Sequence, residues 1–230
     1  VLVVEPVPEV VTLHVWRVEP HQVPLALARM GLDRARARRT PGVRFAKMLG
    51  TGDGRTFTTR DADPLRWAKL STWATPGPDP VADSWQRLAQ ETWRVELRPL
   101  VSTGRWSGRE PFGRPTPQRY DGPVAALTRA RLRPSLARRF WSAVPPVSVA
   151  LHEHPGLRAA LGVGEAPVGL QGTFSVWDSP TALRDFAHRS PEHQRVIAQT
   201  ASTGWYAEEL FSRFAVLGST GTLDGRDPLA

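Results

Sequence analysis

The chain of 230 residues carries 30 Lys and Arg against 22 Asp and Glu, a formal charge of +8, with 40% apolar residues and nine tryptophans. That composition excludes a disordered or collagen-like chain and suffices for one large domain or two small fused ones. The absence of cysteine excludes disulfides, a thiol nucleophile, iron–sulfur clusters and a thiolate-held haem.

VVTLHVWRV (10–18) alternates as a strand and QVPLALARMGLDRARARR (22–39) has apolar residues at helical spacing. Strands are predicted at 43–50 and 66–73, a helix at 79–91 and a strand at 92–100, giving β-α-β-β-α-β. The same order returns after 101–123: a strand at 124–133, a helix at 134–144 opened by Pro134, strands at 157–166 and 168–177, helical pattern over 180–209, and a last strand at 211–218. No apolar run approaches the roughly 20 residues of a membrane-spanning helix. The opening VLVVEPVPEVV lacks the basic start and clean apolar run of a signal peptide. The expectation is a cytoplasmic protein without integral membrane association.

Lysine occurs only as Lys47 and Lys69, so the positive charge is nearly all Arg. Arg34, Arg36, Arg38 and Arg39 close the first predicted helix, where cations offset the carbonyl end of the dipole. A solvated helix terminus is the first reading, with nucleic acid, an acidic partner or a membrane surface as alternatives. No nucleic-acid-binding signature accompanies the cluster, so no nucleic-acid partner is expected.

The two halves share marks in matching places: Pro41-Gly42 and Pro155-Gly156, Ser71-Thr72-Trp73 and Ser175-Val176-Trp177, Trp93 and Trp205. The expected fold class is α+β, two fused ferredoxin-like (βαββαβ) repeats forming a dimeric α+β barrel-type fold. The first repeat covers 10–100, the linker 101–123 and the second repeat 124–218. Each unit covers one sheet face with helices, which predicts that the bare faces meet around a pocket. Alternation then assigns Val11, Leu13 and Val15 to the helix side, and Thr12, His14 and Trp16 to the pocket. By the same rule Gln171, Thr173 and Trp177, with Lys69 and Trp73 of the first repeat, line the pocket. The alternative is a face that is wet or filled by its own side chains.

TPGVRFAKMLGTGDGRTFT (40–58), GRWSGREPF (104–112), ALTRARLRP (126–134), GVGEAP (162–167), TFSVW (173–177), PEHQRVI (191–197) and GWYAEELFSRFAVL (204–217) together resemble the spheroidene monooxygenase family of carotenoid-biosynthesis enzymes, from about Thr12 to Leu217. The resemblance implies a haem-containing, oxygen-using enzyme with a small-molecule substrate and an electron donor. The chain departs from the family pattern at His14, where a small residue is usual, at Ala160, where a Lys is expected, and in a short helix between Trp73 and Trp93.

A haem without cysteine takes a histidine most readily, and there are six. Ser190-Pro191-Glu192-His193 reads as the start of a helix, with Val196, Ile197 and Thr200 on the face of His193. A helix N-terminus favours neutral imidazole, and His193 falls on the family's matching histidine. It is the candidate axial ligand of haem b, with a core or capping histidine as the alternative. His14 is a candidate distal acid, base or hydrogen-bond donor, or a buried histidine satisfied by a neighbour. Lys47 and Arg105 match family motifs and are candidates for pairing haem propionates. Arg105-Trp106 reads equally as a clasp between the repeats. His188 and His21 read as surface residues, and His152 and His154 lack an evident third ligand. The glycines at 50–54 and 162–164 lack the rest of a phosphate loop.

The chemistry expected is haem-dependent oxygen insertion into a hydrophobic or nitrogen-bearing small molecule. The alternatives are a haem reaction without oxygen insertion, such as dehydration or N–O or N–N bond chemistry, and a non-catalytic ligand binder. The oligomeric state is left open.

Overall fold

The computed structural model describes residues 5–52, 61–133, 135, 148–165, 170–189 and 206–230. Its strands are β1 (Val10–Arg17), β2 (Val43–Gly52), β3 (Ala62–Trp73), β4 (Glu91–Gly104), β5 (Val124–Leu132), β6 (Leu157–Gly164), β7 (Leu170–Trp177) and β8 (Tyr206–Gly221). The longer helices among the described residues are α1 (Val23–Arg39), α2 (Pro80–Gln86) and α3 (Pro180–Arg189), with a 3-10 turn at Pro20–Gln22 and a helical turn over 148–152. All strand pairs are antiparallel, and the strands close into a barrel in the order β1-β3-β2-β6-β7-β5-β8-β4. The architecture is α+β, with β4-β1-β3-β2 in one half and β8-β5-β7-β6 in the other. Two seams join the halves. One pairs β4 with β8 from Trp93↔Gly221 to Gly104↔Leu210. The other is short, pairing Gly50, Thr51 and Gly52 with Gly164, Val163 and Gly162.

Closure decides which face goes inside. An eight-stranded barrel has an interior just wide enough for side chains to fill, so the purely apolar set of each strand turns inward. Val11, Leu13 and Val15, Phe45 and Leu49, Ala68 and Leu70, Val95 and Leu97, Leu127, Leu161, Phe174 and Phe214 belong to one buried cluster fed by all eight strands. This corrects the sequence expectation, which placed Val11, Leu13 and Val15 under the helices and a ligand pocket between the sheets. The period of two was right and the facing was reversed: Thr12, His14, Trp16, Lys69 and Trp73 lie on the helix side, as do Thr173 and Trp177. The space between the sheets is packed. An open groove of about 410 Å³ lies elsewhere, along the end of β4 and the following segment, between Leu100–Gly104 and Glu110, Arg114 and Pro117.

On the helix side of the first half, α1 lays Ala26, Met30 and Ala37 on the sheet, and α2 adds Val81, Ala82 and Trp85. Asp79 caps α2, its carboxylate accepting the Ala82 N–H at 3.1 Å. The helix ends at Gln86, short of the expected 91, because the chain turns there and the Gln90 N–H donates to the Arg17 carbonyl at 2.8 Å on the way into β4. In the second half Leu183 and Phe186 of α3 close over Val124 and Trp177. β8 begins at Tyr206, inside the stretch expected to be helical, and β4 runs on to Gly104. The expected helix at 134–144 falls outside the described residues except for Ser135. Among the described residues no helix is long and apolar enough to cross a membrane.

Candidate functional site

The residues expected to share one pocket occupy three separate places. The first is the layer between β1, β3 and the helices of the first half. His14 stands opposite Lys69 on β3 and Arg94 on β4. Its ring lies 5.6 Å from that of Trp16, which stacks at 5.3 Å on Trp85. The Trp85 Nε1–H in turn donates to Asp33 on α1 at 3.0 Å. The Lys69 side chain is fully buried and pairs with Asp79, with its ammonium 5.9 Å from the Trp73 ring. Trp73 donates to the Thr12 hydroxyl at 3.0 Å. Burial lowers Lys69 from its ordinary value, opposed by Asp79.

Burial first, then the charge of Lys69 and least of all that of Arg94, push His14 down to about 4, against an upward pull from Asp79 that exceeds the effect of Arg94. His14 is therefore neutral at pH 7. Between about 4 and 6.5 the unfolded chain binds the proton and the folded one does not, so stability rises with pH across that window and is lost on acidification. Wild-type protein loses about 2 kcal/mol through this group between pH 7 and 4.5. Urea unfolding of His14→Gln at the two pH values is expected to show that part of the slope removed.

The second place is the rim of the barrel, where the segment after β4 folds back as a tight bridge between Trp106 and Arg109. Glu165, just after β6, accepts from the Trp106 Nε1–H at 2.5 Å, from Lys47 at 2.5 Å and from Arg129 at 3.2 Å. Lys47 also donates to the Ser107 hydroxyl at 2.7 Å. Glu208 on β8 accepts the backbone N–H groups of Ser107 at 2.9 Å and Gly108 at 2.7 Å, and pairs with Arg129. Burial alone would raise both carboxyls. At Glu165 the hydrogen bonds and charges of Lys47, Trp106 and Arg129 outweigh it, at Glu208 the two backbone donors and Arg129 do, and both end below the usual range.

This cluster ties β2, β5, β6 and β8 to the segment between the halves, so Arg105-Trp106 belongs to a clasp. Arg105 itself is exposed, held by its backbone N–H to the Glu209 carbonyl at 2.7 Å. Lys47 is not free to meet a propionate, because its charge is taken up by Glu165 inside the rim.

A second clasp repeats the first. Gly104-Arg-Trp-Ser-Gly-Arg-Glu-Pro-Phe112 is matched by Gly221-Thr-Leu-Asp-Gly-Arg-Asp-Pro-Leu229, with a bridge at Leu223↔Arg226. Both open on a left-handed glycine, φ +91° at Gly104 and +83° at Gly221; an added Cβ would lie 2.2 Å from the Glu209 carbonyl oxygen in one and 2.1 Å from that of Thr92 in the other. Ser107 and Asp224 both take positive φ, 54° and 55°. In the second clasp Glu91 accepts from the Thr222 hydroxyl at 2.9 Å and the Gly225 N–H at 2.7 Å, and Asp224 pairs with Arg66. The sequence signal for this pairing is the shared spacing of Gly104, Gly108, Arg109 and Pro111 with Gly221, Gly225, Arg226 and Pro228. Arg129, Glu165 and Glu208 had no local signal, since they meet only across the barrel.

The third place is the helix side of the second half. Across β5, β7 and β6 the register aligns Ala126, Ser175 and Ala160 in one row, Thr128, Thr173 and Gly162 in the next, and Ala130, Gln171 and Gly164 in the third. The corresponding rows of the first half are Thr12, Ser71 and Ala46; His14, Lys69 and Met48; Trp16, Trp67 and Gly50. The first rows differ only at Thr12 against Ala126, but in the second row the first half carries His14, Lys69 and Met48 where the second carries Thr128, Thr173 and Gly162, a platform of small side chains. Trp177 sits at its edge, its ring 5.2 Å from Phe186 and 5.3 Å from His154, its Nε1–H on the Ser175 hydroxyl at 2.9 Å.

His193 and the side chains of His188 and Gln171 lie outside the described residues. The imidazoles that are described are otherwise engaged. His154 accepts the Gly156 N–H at 3.1 Å, His152 Nδ1 lies 2.8 Å from the Ser148 carbonyl, and exposed His21 meets Glu19 at 3.1 Å. Among the described residues no group of three or more His, Asp or Glu side chains is placed to hold a metal ion.

No family model matches the chain. It is 36% identical over 220 residues to spheroidene monooxygenase of Rhodobacter capsulatus, covering 90% of each chain. It is 40% identical over 193 residues to the enzyme of the same name from Rubrivivax gelatinosus, covering 81% of this chain and 73% of that one. With the counterpart from Cereibacter sphaeroides it shares 31% over 230 residues, 96% of this chain and 71% of the relative. Among solved structures, two of aldoxime dehydratase share the fold at 12% identity. Their TM-scores are 0.62 and 0.59, with 96% and 98% of this chain covered and 84% and 90% of theirs.

Proposed function

Because the chain belongs to the spheroidene monooxygenase family and is a monooxygenase-type oxidoreductase, we propose that it uses haem b to insert one oxygen atom into a hydrophobic small molecule of the spheroidene kind. The other oxygen atom leaves as water, which requires two electrons from a separate donor and two protons. We read the chain as two βαββαβ repeats, each ending in its own clasp, 104–112 and 221–229. The first repeat is a closed structural half and the second carries the chemistry.

The observation that carries this reading is the contrast between the two helix-side faces. In the first half that face is filled by Trp16, Lys69, Met48 and Trp85 under α1 and α2. In the second, the row of Thr128, Thr173 and Gly162 sets only small side chains on that face, which supports it as the platform for the flat face of a porphyrin. Our reading puts the haem on this helix-side face of the second half and not between the sheets, which the packed core fills. His193 is the proposed axial ligand, and Trp177 with Phe186 forms the apolar wall beside the platform. Haem supplies the oxygen-activating iron when bound; the platform and wall orient it and keep water out.

The test is the visible spectrum of purified protein supplied with haem. Wild type shows a Soret band that titrates to one haem per chain. His193→Ala loses the ligand and is expected to bind haem at least about tenfold more weakly, with the band shifted. Thr173→Trp restores bulk to the platform and lowers haem uptake without touching the ligand. A wild-type protein that takes up no haem removes the reading.

A further inference from the structure

The outer surface of α1 changes character half-way along its length. Its inward side chains, Ala26, Met30, Asp33 and Ala37, are buried. The outward strip at i, i+3, i+7, i+10 and i+14 reads Leu25, Ala28, Leu32, Ala35 and Arg39. A second row beside it reads Leu27, Gly31, Arg34 and Arg38. Leu25, Leu27 and Leu32 are 49%, 57% and 67% exposed and make up three of the seven exposed large apolar side chains among the described residues. Isolated exposed leucines need no explanation, but Leu25 and Leu32 stand one above the other on the first strip and Leu27 heads the second row, so the three flank the outward face of α1.

No acidic side chain interrupts the strip, because Asp33, the acidic residue of α1, is buried and holds Trp85 and Arg36. Arg38 and Arg39 make no ion pair among the described residues, whereas Arg34 donates to the Glu165 carbonyl at 3.1 Å. The packing that secures α1 does not need the leucines.

We propose that α1 is a docking surface for an anionic lipid bilayer. The apolar first half enters the boundary between headgroups and acyl chains, while Arg38 and Arg39 sit at the phosphate level. An apolar stretch continued by arginines, with no exposed acid, complements a surface that is greasy and negative. An acidic soluble partner such as RNA would match the arginines and leave the leucines unexplained, and a second copy of this chain offers no exposed acid on this face to meet Arg38 and Arg39. The proposal stands apart from the haem reading, although a hydrophobic substrate dissolves in the same lipid.

The experiment is co-sedimentation of the full chain with phosphatidylcholine vesicles with and without 30% phosphatidylglycerol. Binding is expected to the anionic vesicles and to be at least about tenfold weaker to the neutral ones. Arg38→Gln with Arg39→Gln lowers the affinity about 30-fold, at roughly fivefold per arginine. The variant Leu25→Gln, Leu27→Gln, Leu32→Gln keeps the net charge and is expected to lose at least about tenfold.

That triple variant separates docking from mere adsorption of a basic protein: unchanged binding would overturn the proposal. Since the chain has no cysteine, Leu27→Cys carries an environment-sensitive dye at one site, and Leu217→Cys on exposed β8 is the control. Blue-shifted emission on anionic vesicles at position 27 alone is expected. A dye at 27 already in an apolar setting without vesicles, or a dimer that dissociates in the triple variant, would assign the face to the chain itself or to a second copy and overturn the proposal.

Discussion

Asp79→Ala is expected to destabilise the fold by about 4–6 kcal/mol, the largest loss from a single side chain in the first half. Two costs combine. Lys69, whose side chain is fully buried, loses the carboxylate it is ion-paired with and keeps only the weaker attraction of Asp83, and α2 loses the acceptor that caps the Ala82 N–H. Breaking one partner of a buried pair typically costs about 3–5 kcal/mol and losing a cap about 1. For a chain of this size the melting temperature falls by roughly 10–20 °C.

The pH dependence identifies the cause. The folded-state value of Lys69 already lies below 10.5, and without Asp79 it falls further. The unfolded chain then holds the proton over a wider range than the folded one, so stability rises with pH up to about 10.5. Thermal unfolding followed by circular dichroism should show Asp79→Ala regaining part of its loss between pH 7 and 10. Lys69→Met, which leaves Asp79 on its cap and fills the space with an apolar chain, is expected to cost less than Asp79→Ala. Equal losses in both variants, independent of pH, would mean that the pair is not the source.

Glu165→Ala is expected to cost about 3–5 kcal/mol and to act on the rim of the barrel. One carboxylate there receives Lys47, the Trp106 indole and Arg129, whose side chain is 3% exposed. Removing it leaves the indole N–H without an acceptor and Lys47 with only the Ser107 hydroxyl, while Arg129 keeps Glu208. Glu165→Gln keeps the acceptor and removes the charge, so it should lose less. The short β2–β6 seam of three residue pairs is the part of the barrel that Glu165 supports, so amide exchange at Gly50–Gly52 and Gly162–Gly164 should accelerate before exchange in β1. A uniform acceleration across all strands would contradict a local role.

How much of this was legible in the sequence depends on the kind of signal. Period-two alternation in VVTLHVWR found β1 and sorted its side chains into two sets, because a strand must present alternate residues to opposite faces. It did not say which set faces the barrel. Both faces of β1 are buried, one against the apolar interior and one against Trp85 and Met30, so a face carrying His14, Trp16 and Lys69 read as a pocket when it is the floor of a helix layer. The volume available inside a closed barrel decides the matter, and it is a property of all eight strands together.

The clasp shows a different limit. Gly, Pro and Arg in 101–123 suggest a linker, and the repeat of 104–112 at 221–229 is masked because the two stretches share only glycine, arginine and proline positions while Trp106 and Phe112 align with Leu223 and Leu229. Its partners Arg129 and Glu165 are 36 positions apart in the chain, and Arg129 and Glu208 are 79 apart, beyond any local pattern. β8 began early because Tyr206, Glu208 and Leu210 alternate along β5, while Glu and Leu favour helix when read alone.

The origin of one oxygen atom in the product identifies the reaction. Haem-loaded protein, a chemical reductant and spheroidene under oxygen-18 gas, with the product weighed by mass spectrometry, tests it directly. The predicted result is a product carrying one heavy oxygen atom per insertion, formed only when both oxygen and reductant are present and abolished in His193→Ala. Product formed equally well under nitrogen, or product carrying oxygen from water, would contradict the assignment of this chain as an enzyme that inserts oxygen from the gas.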